Sequence, residues 1–325
     1  MYNTRVILRS PTDDDYEAMA AVATAARPEH PWNAERLRYN DMNRHPNCQC
    51  LRYLAEINGR IVGLAQAIQY EDLYHPRKYW ITIRVHPDYQ RQGIGGGLYD
   101  ALMELLSAYD PLEVKTSIPA NDLVAFRFVE RRGFEEYSRR WDSIAHLSTF
   151  DAIKFTPVIH RVREQNIVLC PLRTMKDDPG FVEKLHALFW TLEQDVPFPE
   201  PVTYQPLDQF KRTVLGNPEL EEDITLVAVD RETNAYAGMT LIFADPDGTL
   251  GIDLSGVHPA YRRRGIGTAL KAQSMILAKQ GGYRAMRTTN DPVNTGILAI
   301  NDRLGFKRLP AQVLLALRLG EEDDI

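Results

Sequence analysis

The sequence predicts an α/β (α+β) protein of two tandem domains, each a mixed sheet flanked by helices. Three observations carry that expectation. The chain has 325 residues, and chains beyond roughly 250–300 residues usually divide into domains. The stretch Val85–Leu98, VHPDYQRQGIGGGL, returns 172 residues later as Val257–Leu270, VHPAYRRRGIGTAL, with nine of fourteen positions identical. At the same offset Phe128–Phe134, FVERRGF, lies over Ile300–Phe306, INDRLGF. Two separated blocks sharing one offset imply a duplicated domain. The expected domains are 1–155 and 156–325.

The elements follow in order. Arg5–Arg9 reads as a strand. Thr12 with Asp15 forms a capping-box pattern that opens a helix to about Ala26, and a second helix is expected over Asn33–Arg44. Leu51–Ile57 and Arg60–Tyr70 flank Asn58-Gly59, a strong hairpin signal. Tyr79–Val85 is the next strand, and the glycine stretch leads into an amphipathic helix to about Tyr109. Strand Glu113–Ile118, helix Asp122–Arg132 and a strand after Phe134 finish the first copy. A linker is expected near Asp151–Gln165.

The second copy repeats this order. It has strand Ile167–Cys170, helix Gly180–Glu193, hairpin Thr225–Asp230 with Ala235–Ala244, and strand Leu250–Val257. Helix Gly265–Gln280, strand Tyr283–Thr288, helix Asn294–Arg303 and strand Gln312–Leu319 follow. The proline-rich Asp195–Phe210 replaces a helix of the first copy and reads as a substrate-side loop.

Composition narrows the class. Hydrophobic content of 44% and charged content of 25% are ordinary for a globular chain. A net charge of −6 gives no support for nucleic-acid binding, and Glu321–Asp324 reads as a solvated tail. Cys48, Cys50 and Cys170 match neither a disulfide framework nor a zinc site, so reduced thiols and no metal are expected. The opening MYNTRVILRS has no apolar signal core, and no run of about 18 apolar residues exists. A cytoplasmic protein without membrane contact is the expectation.

The glycines have a physical reading. A strand ends at Val257-His258-Pro259, turns through basic residues and enters a helix at Gly265. Amides from Arg263 to Gly267 then have no helical carbonyl to bond, and the helix dipole adds about half a positive charge there. Glycine lets an anion come close to the backbone, so the turn suits a phosphate or pyrophosphate. A Walker A loop needs Gly-Lys-Ser/Thr, which neither copy has. A dinucleotide fingerprint needs a glycine where Leu98 and Leu270 stand. A packing role for the glycines is the structural alternative.

Gln90-x-x-Gly93-x-Gly95 and Arg262-x-x-Gly265-x-Gly267 resemble the Q/R-x-x-G-x-G/A motif of the GNAT acetyltransferase superfamily. Asn294 with Gly305-Phe306 resembles that family's asparagine-to-GF helix. The resemblance implies mostly antiparallel, splayed sheets and acetyl-CoA as cofactor. It implies that the CoA pyrophosphate rests on amides of Gln92, Gly93, Gly95, Gly96 and Gly97 in one copy. In the other the amides are those of Arg264, Gly265, Ile266, Gly267, Thr268 and Ala269. Strand ends Ile83–Val85 and Ser255-Gly256-Val257 would pair with the pantetheine arm, with Gln90 and Arg91 beside the first. Arg262, Arg263 and Arg264 could meet the CoA 3′-phosphate, or form a solvated basic turn.

The copies differ where chemistry would occur. Moving an acetyl group to an amine needs a proton acceptor, donors for the oxyanion and a proton for the thiolate. By resemblance Asp253, four residues before Val257, stands at a position often used for the base; it could instead hold a backbone amide or a cationic substrate. Its counterpart is Ile81. The family's acid is a tyrosine seven residues after the asparagine, but Asn301 and Val129 occupy those places. Asn301 can donate a hydrogen bond without delivering a proton. His86 and His258, each before a proline, read as turn residues or bases; Tyr89 and Tyr261 read as turn packing, and Gln69–Trp80 as a sheet cover or aromatic wall.

The resulting expectation is acetyl transfer from acetyl-CoA to a primary amine of a small molecule, in the C-terminal domain. Acetylation of a protein N-terminus or lysine is the second reading, and a non-catalytic CoA-binding regulator the third. A monomer with pseudo-dimeric domains or a homodimer fits either.

Overall fold

The computed structural model describes residues 5–197 and 201–320. The acidic stretch Glu321–Asp324 and residues Phe198–Glu200 of the proline-rich segment lie outside the described residues. The chain forms two compact units, one of Met1–Ser138 with Gln312–Ile325 and the other of Arg139–Ala311.

The elements up to residue 164 are β1 (Ile7–Arg9), α1 (Tyr16–Ala26), α2 (Ala34–Met42), β2 (Cys50–Ile57), β3 (Arg60–Ile68), β4 (Lys78–Val85), α3 (Ile94–Ser107), β5 (Glu113–Pro119), α4 (Leu123–Glu130), β6 (Glu135–His146) and α5 (Thr156–Glu164). Then come β7 (Ile167–Pro171), α6 (Phe181–Glu193), α7 (Leu207–Phe210), β8 (Leu226–Asp230), β9 (Ala235–Ala244), β10 (Thr249–Val257), α8 (Ile266–Gln280), β11 (Ala285–Asn290), α9 (Thr295–Leu304), β12 (Lys307–Arg308) and β13 (Gln312–Arg318). Local chemistry explains the boundaries. The Thr12 amide donates to Asp15 Oδ2 at 2.7 Å ahead of α1. Asn58 and Gly59 take φ of 51° and 77°, the left-handed pair a two-residue hairpin needs between β2 and β3.

In the first unit β1, β2, β3 and β4 pair antiparallel in sequence, β4 meets β5 in parallel, and β13 closes on β5 antiparallel. In the second, β7, β8, β9 and β10 pair antiparallel, β10 meets β11 in parallel, and β6 lies antiparallel on β11. Each sheet is therefore mixed and mostly antiparallel, as the sequence predicts. Helix α3 buries Ile94, Leu98, Leu102 and Leu106, one stripe at i, i+4 spacing, against the first sheet.

Both sheets part at their parallel pair. The β4–β5 ladder covers only Lys78–Trp80 against Glu113–Lys115, and the β10–β11 ladder only Thr249–Ile252 against Ala285–Thr288. Past those points each strand end loses its parallel neighbour. In the first unit Thr116 Oγ1 donates to the Ile81 carbonyl at 3.0 Å and bridges the start of the gap. In the second the gap opens at a β-bulge: Ile252 faces Ile242 and Leu254 faces Leu241, which leaves Asp253 as the extra residue.

Two expectations are corrected. The units are not the consecutive halves 1–155 and 156–325. The strand after Phe134 completes the second unit through Trp141–His146 on β11, and Gln312–Arg318 completes the first unit on β5. The final strands are exchanged, because period-2 alternation marks a strand but not its partner. The expected linker is also not a linker. Its Thr156–Glu164 is helix α5, with Pro157 in its first turn and Val162 fully buried among Ile167, Ile266 and Ala269. Among the described residues, no helix is long and apolar enough to cross a membrane.

Ending the chain at Ala311 removes β13, whose Val313, Leu314 and Leu315 are buried in the first unit. Losing three such side chains costs roughly 5 kcal/mol, comparable to a whole domain's stability. Hydrogen exchange is expected to show lost protection in β2–β5 while β7–β11 stay protected. The reverse pattern would contradict the exchange.

Candidate active site

The end of β4 and the end of β10 turn into α3 and α8 by one route. Arg91 and Arg263 both take φ 60°, and Gly93 and Gly265 both take φ 85°. A Cβ at Gly93 would meet nothing within 4 Å, so the dihedral alone calls for glycine. Gly265 also faces Val158 of α5, which a Cβ would meet at 3.2 Å. His86 and His258 accept from the amides of Asp88 and Ala260 through Nδ1, each at 3.3 Å, which makes them caps of the turn. Tyr89 and Tyr261 pack edge-on against these imidazoles.

The first motif residue has a role the sequence did not disclose. Gln90 Nε2 donates to the Val85 carbonyl at 3.0 Å, and Arg262 Nε donates to the Val257 carbonyl at 3.2 Å. Each side chain pins the last carbonyl of its strand. Arg262 also pairs with Asp195 through its far nitrogen. Leu98 and Leu270 find room because of glycines on the neighbouring strand. A Cβ at Gly63 would meet Leu98 Cδ1 at 3.0 Å; one at Gly238 would meet Leu270 Cδ1 at 3.2 Å and the Gly256 carbonyl oxygen at 2.8 Å.

The Gly97 amide bonds the Gly93 carbonyl and the Ala269 amide bonds the Gly265 carbonyl, each at 3.0 Å. The helical ladder therefore begins there. The amides of Gly93–Gly96 and Gly265–Thr268 precede it and have no carbonyl of their own helix to bond. The expected amide sets are corrected accordingly. Gly97 and Ala269 spend their N–H groups inside the helix, and Ala269 is fully buried.

Each set of amides opens onto a cavity, of about 720 Å³ in the second unit and about 630 Å³ in the first. Ser255, Gly256, Val257, Arg262, Arg263, Gly265, Ile266, Gly267, Thr268 and Asn294 line the second. Leu192 and the described start of the proline-rich segment, Asp195–Pro197, form another part of its wall. Ile83, Val85, Gln90, Arg91, Gly93, Gly95 and Gly96 line the first. Gln92 and Arg264 line neither. Gln92 Nε2 donates to the Asp88 carbonyl at 3.3 Å; Arg264 Nε reaches Gln165 Oε1 at 2.9 Å and props the turn against the end of α5. Asn294 and Asp122 are the N-caps of α9 and α4, accepting from Ile297 and Ala125 at 3.3 and 2.9 Å. A pyrophosphate fits such a place: unspent amides, a dipole end and no side chains at the glycines.

The two residues expected to do chemistry are placed differently from each other. Asp253 is exposed on the bulge and does not itself line the cavity, although its neighbour Leu254 does. Asn301 is corrected. It is 2% exposed and does not line the cavity. Its Oδ1 accepts from Lys271 Nζ at 2.7 Å, and its Nδ2 donates to Asn290 Oδ1 at 2.6 Å. With both ends of its amide engaged, it belongs to an internal polar chain and not to the reacting groups. Lys271 escaped the sequence reading; its place in the buried stripe of α8, beside Leu270 and Ala272, is the signal that marked it. In the first unit Tyr99 and Val129 take these two positions, both buried. Burial pushes the Cys48 thiol up to about 11 and raises Cys50 and Cys170, so no thiolate nucleophile is offered.

Desolvation brings the Lys271 ammonium down from 10.5 to about 7. Between about pH 7 and 10.5 the unfolded chain then holds a proton the folded chain lacks, so stability rises with pH across that window. Denaturant unfolding from pH 7 to 10 should show this slope, and Lys271→Met should remove it. An unchanged slope would mean that Lys271 titrates normally.

No curated protein sequence matches the chain significantly. Solved structures do. A GCN5-related N-acetyltransferase from Sphaerobacter thermophilus is 18% identical with a TM-score of 0.69, over 98% of this chain and 97% of that one. A tandem GNAT protein from the clavulanic acid biosynthesis pathway is 18% identical with a TM-score of 0.74, over 98% of this chain and all of that one. A putative acetyltransferase from Pyrococcus horikoshii gives 15% identity and a TM-score of 0.56, over all of this chain and 94% of that one. At such identities the likeness speaks for the fold. The sequence model of the acetyltransferase (GNAT) family matches twice, at residues 17–134 and 183–306. The chain thus belongs to the GNAT acetyltransferase family, as a tandem member, and that family carries out acetyl transfer and generally draws on acetyl-CoA.

Proposed function

We propose that this protein is an N-acetyltransferase that transfers the acetyl group of acetyl-CoA to a primary amine of a small molecule, with the chemistry in the second unit. The observation that carries the reading is the set of unspent amides at Gly265–Thr268 facing a cavity whose other wall is Ser255–Val257. Those amides and the α8 dipole would hold the CoA pyrophosphate. Ser255–Val257, past the end of the parallel ladder, has backbone groups free on that side to pair with the pantetheine arm. Acetyl-CoA, when bound there, supplies an acetyl group activated as a thioester.

The chain's own residues do the rest. The pinned Val257 carbonyl fixes the strand end, and Gly238 lets that end lie close to β9. Positioning of this kind supplies much of the rate in a transfer between two bound reactants. Asp253 attracts the acceptor's ammonium and, directly or through a water, takes its proton. The leaving thiolate, with an ordinary thiol pKa near 8.5, can be protonated by water. Leu192 and Asp195–Pro197 add a wall to the cavity, which supports a small acceptor over a protein segment. In the first unit Ile81 replaces Asp253, and Arg27 and Arg84 line the cavity. The first unit thus has no carboxylate at the Asp253 position, which supports assigning the amine to the second unit.

Asp253→Asn is expected to lower kcat/KM about a hundredfold at neutral pH. The deficit should shrink toward pH 10, where the amine sheds its proton unaided. Steady-state CoA release with an amine panel measures both. A pH-independent deficit would assign Asp253 to binding, and no deficit would remove it from the mechanism.

A further inference from the structure

The first unit's cavity has a cation that its duplicate lacks. Arg84 lies between Ile83 and Val85 on β4, at the position held by Gly256 in the second unit. Its Nε is enclosed by protein with no hydrogen-bond partner, and its Nη1 reaches the Ile83 carbonyl only at 3.4 Å. Arg27, just past α1, lines the same cavity; its Nε pairs with Glu29 at 2.9 Å, but its Nη2 is buried without a partner. The acid on this wall, Asp122, is the N-cap of α4. Burial, reinforced by the charge of Arg27, brings the Arg84 guanidinium down to about 10. Glu29 and Asp122 offset the Arg84 charge without forming an ion pair with it, and an enclosed cation without a directly paired carboxylate is costly to keep. Both side chains line the cavity, so an anion bound there meets two guanidinium groups whose hydrogen-bonding capacity is not filled, and a guanidinium's planar fork matches a carboxylate.

We propose that the first unit's cavity binds a carboxylate-bearing small molecule, its carboxylate held by Arg84 and Arg27. The same cavity is lined by apolar Ile81, Ile83, Val124 and Val129, which suit a short carbon chain more than a second phosphate. The carboxylate can belong to a free dicarboxylic acid or to the far end of an acyl group on CoA whose phosphates rest on Gly93–Gly96. The chemistry recognised is the same in both. The inference does not depend on acetyl transfer in the second unit, since binding is read without turnover.

Isothermal titration of the full chain with succinate, succinyl-CoA and acetyl-CoA tests it. At least one carboxylate probe should bind, and Arg84→Gln should weaken it about tenfold or more, the scale of a lost charge-assisted contact. Acetyl-CoA, which lacks the carboxylate, should shift less than about twofold. Binding of succinate alone points to a free acid; binding of succinyl-CoA without succinate points to the acyl chain. Arg84→Gln removes an unsatisfied buried charge, so the thermal midpoint of the unliganded variant should hold or rise. Arg27→Gln should weaken the same probe and gives the answer if Arg84→Gln does not fold. Failure of both carboxylate probes to bind, or wild-type affinity in the variants, overturns the proposal.

Discussion

Backbone amides at the start of a helix have no carbonyl behind them, and this molecule is arranged twice around leaving four of them unspent. At Gly265–Thr268 and at Gly93–Gly96 nothing from the chain's own helix can satisfy them. Everything near them keeps that place open. Left-handed Arg263 and Gly265 turn the strand end straight into the helix. Arg262 and Gln90 hold the strand's last carbonyl. The parallel ladders stop at Trp80 and Ile252, five residues before Val85 and Val257, so each strand end keeps edge groups without a parallel neighbour beside the amides. The open groups at this place are main-chain atoms alone. That is why the site tolerates different side chains in its two copies without losing its shape.

Much of this was legible in the sequence because it depends on local rules. Gly265 and Gly93 are glycines for a dihedral reason, and a repeated spacing of glycines after a strand records it directly. Asn58-Gly59, the Thr12–Asp15 box and the caps Asn33, Asp122 and Asn294 are equally local, and each stands where its residue type predicts. The cavity-lining strand ends followed from the same motif. Thr156–Glu164 lies between the two copies, where a linker is the expectation, and it is helix α5. Val158 and Val162 against Gly265 show that this segment braces the second turn.

What the sequence could not show depends on which segments meet. Alternation in Gln312–Arg318 marks a buried strand, but the register Val313 to Ile118 and Leu315 to Thr116 exists only in the folded chain. Duplication makes this worse: two sheets built alike offer two equally suitable edges. Asn301 was misread for a related reason. Its spacing from Asn294 matches a reacting position, whereas its environment is set by Lys271, thirty residues earlier. A lysine with no exposed surface holds an asparagine amide by both chemistry and position, and that amide can no longer turn toward a ligand.

The two copies then diverge at one strand position with opposite consequences. At Gly256 a Cβ would meet Leu192 Cδ2 at 2.8 Å, so α6 occupies the space a side chain would need. Leu192 itself lines that cavity. At the matching Arg84 the space is open, and a long cation enters it beside Ala26 and Arg27. The second cavity thereby keeps an apolar flank with the Asp253 carboxylate outside it, and the first acquires two guanidinium groups with unmet hydrogen-bonding capacity. The two copies thus keep one glycine turn in common and differ in the side chains beside it, and that difference rests on whether a helix side chain leaves room at a single residue.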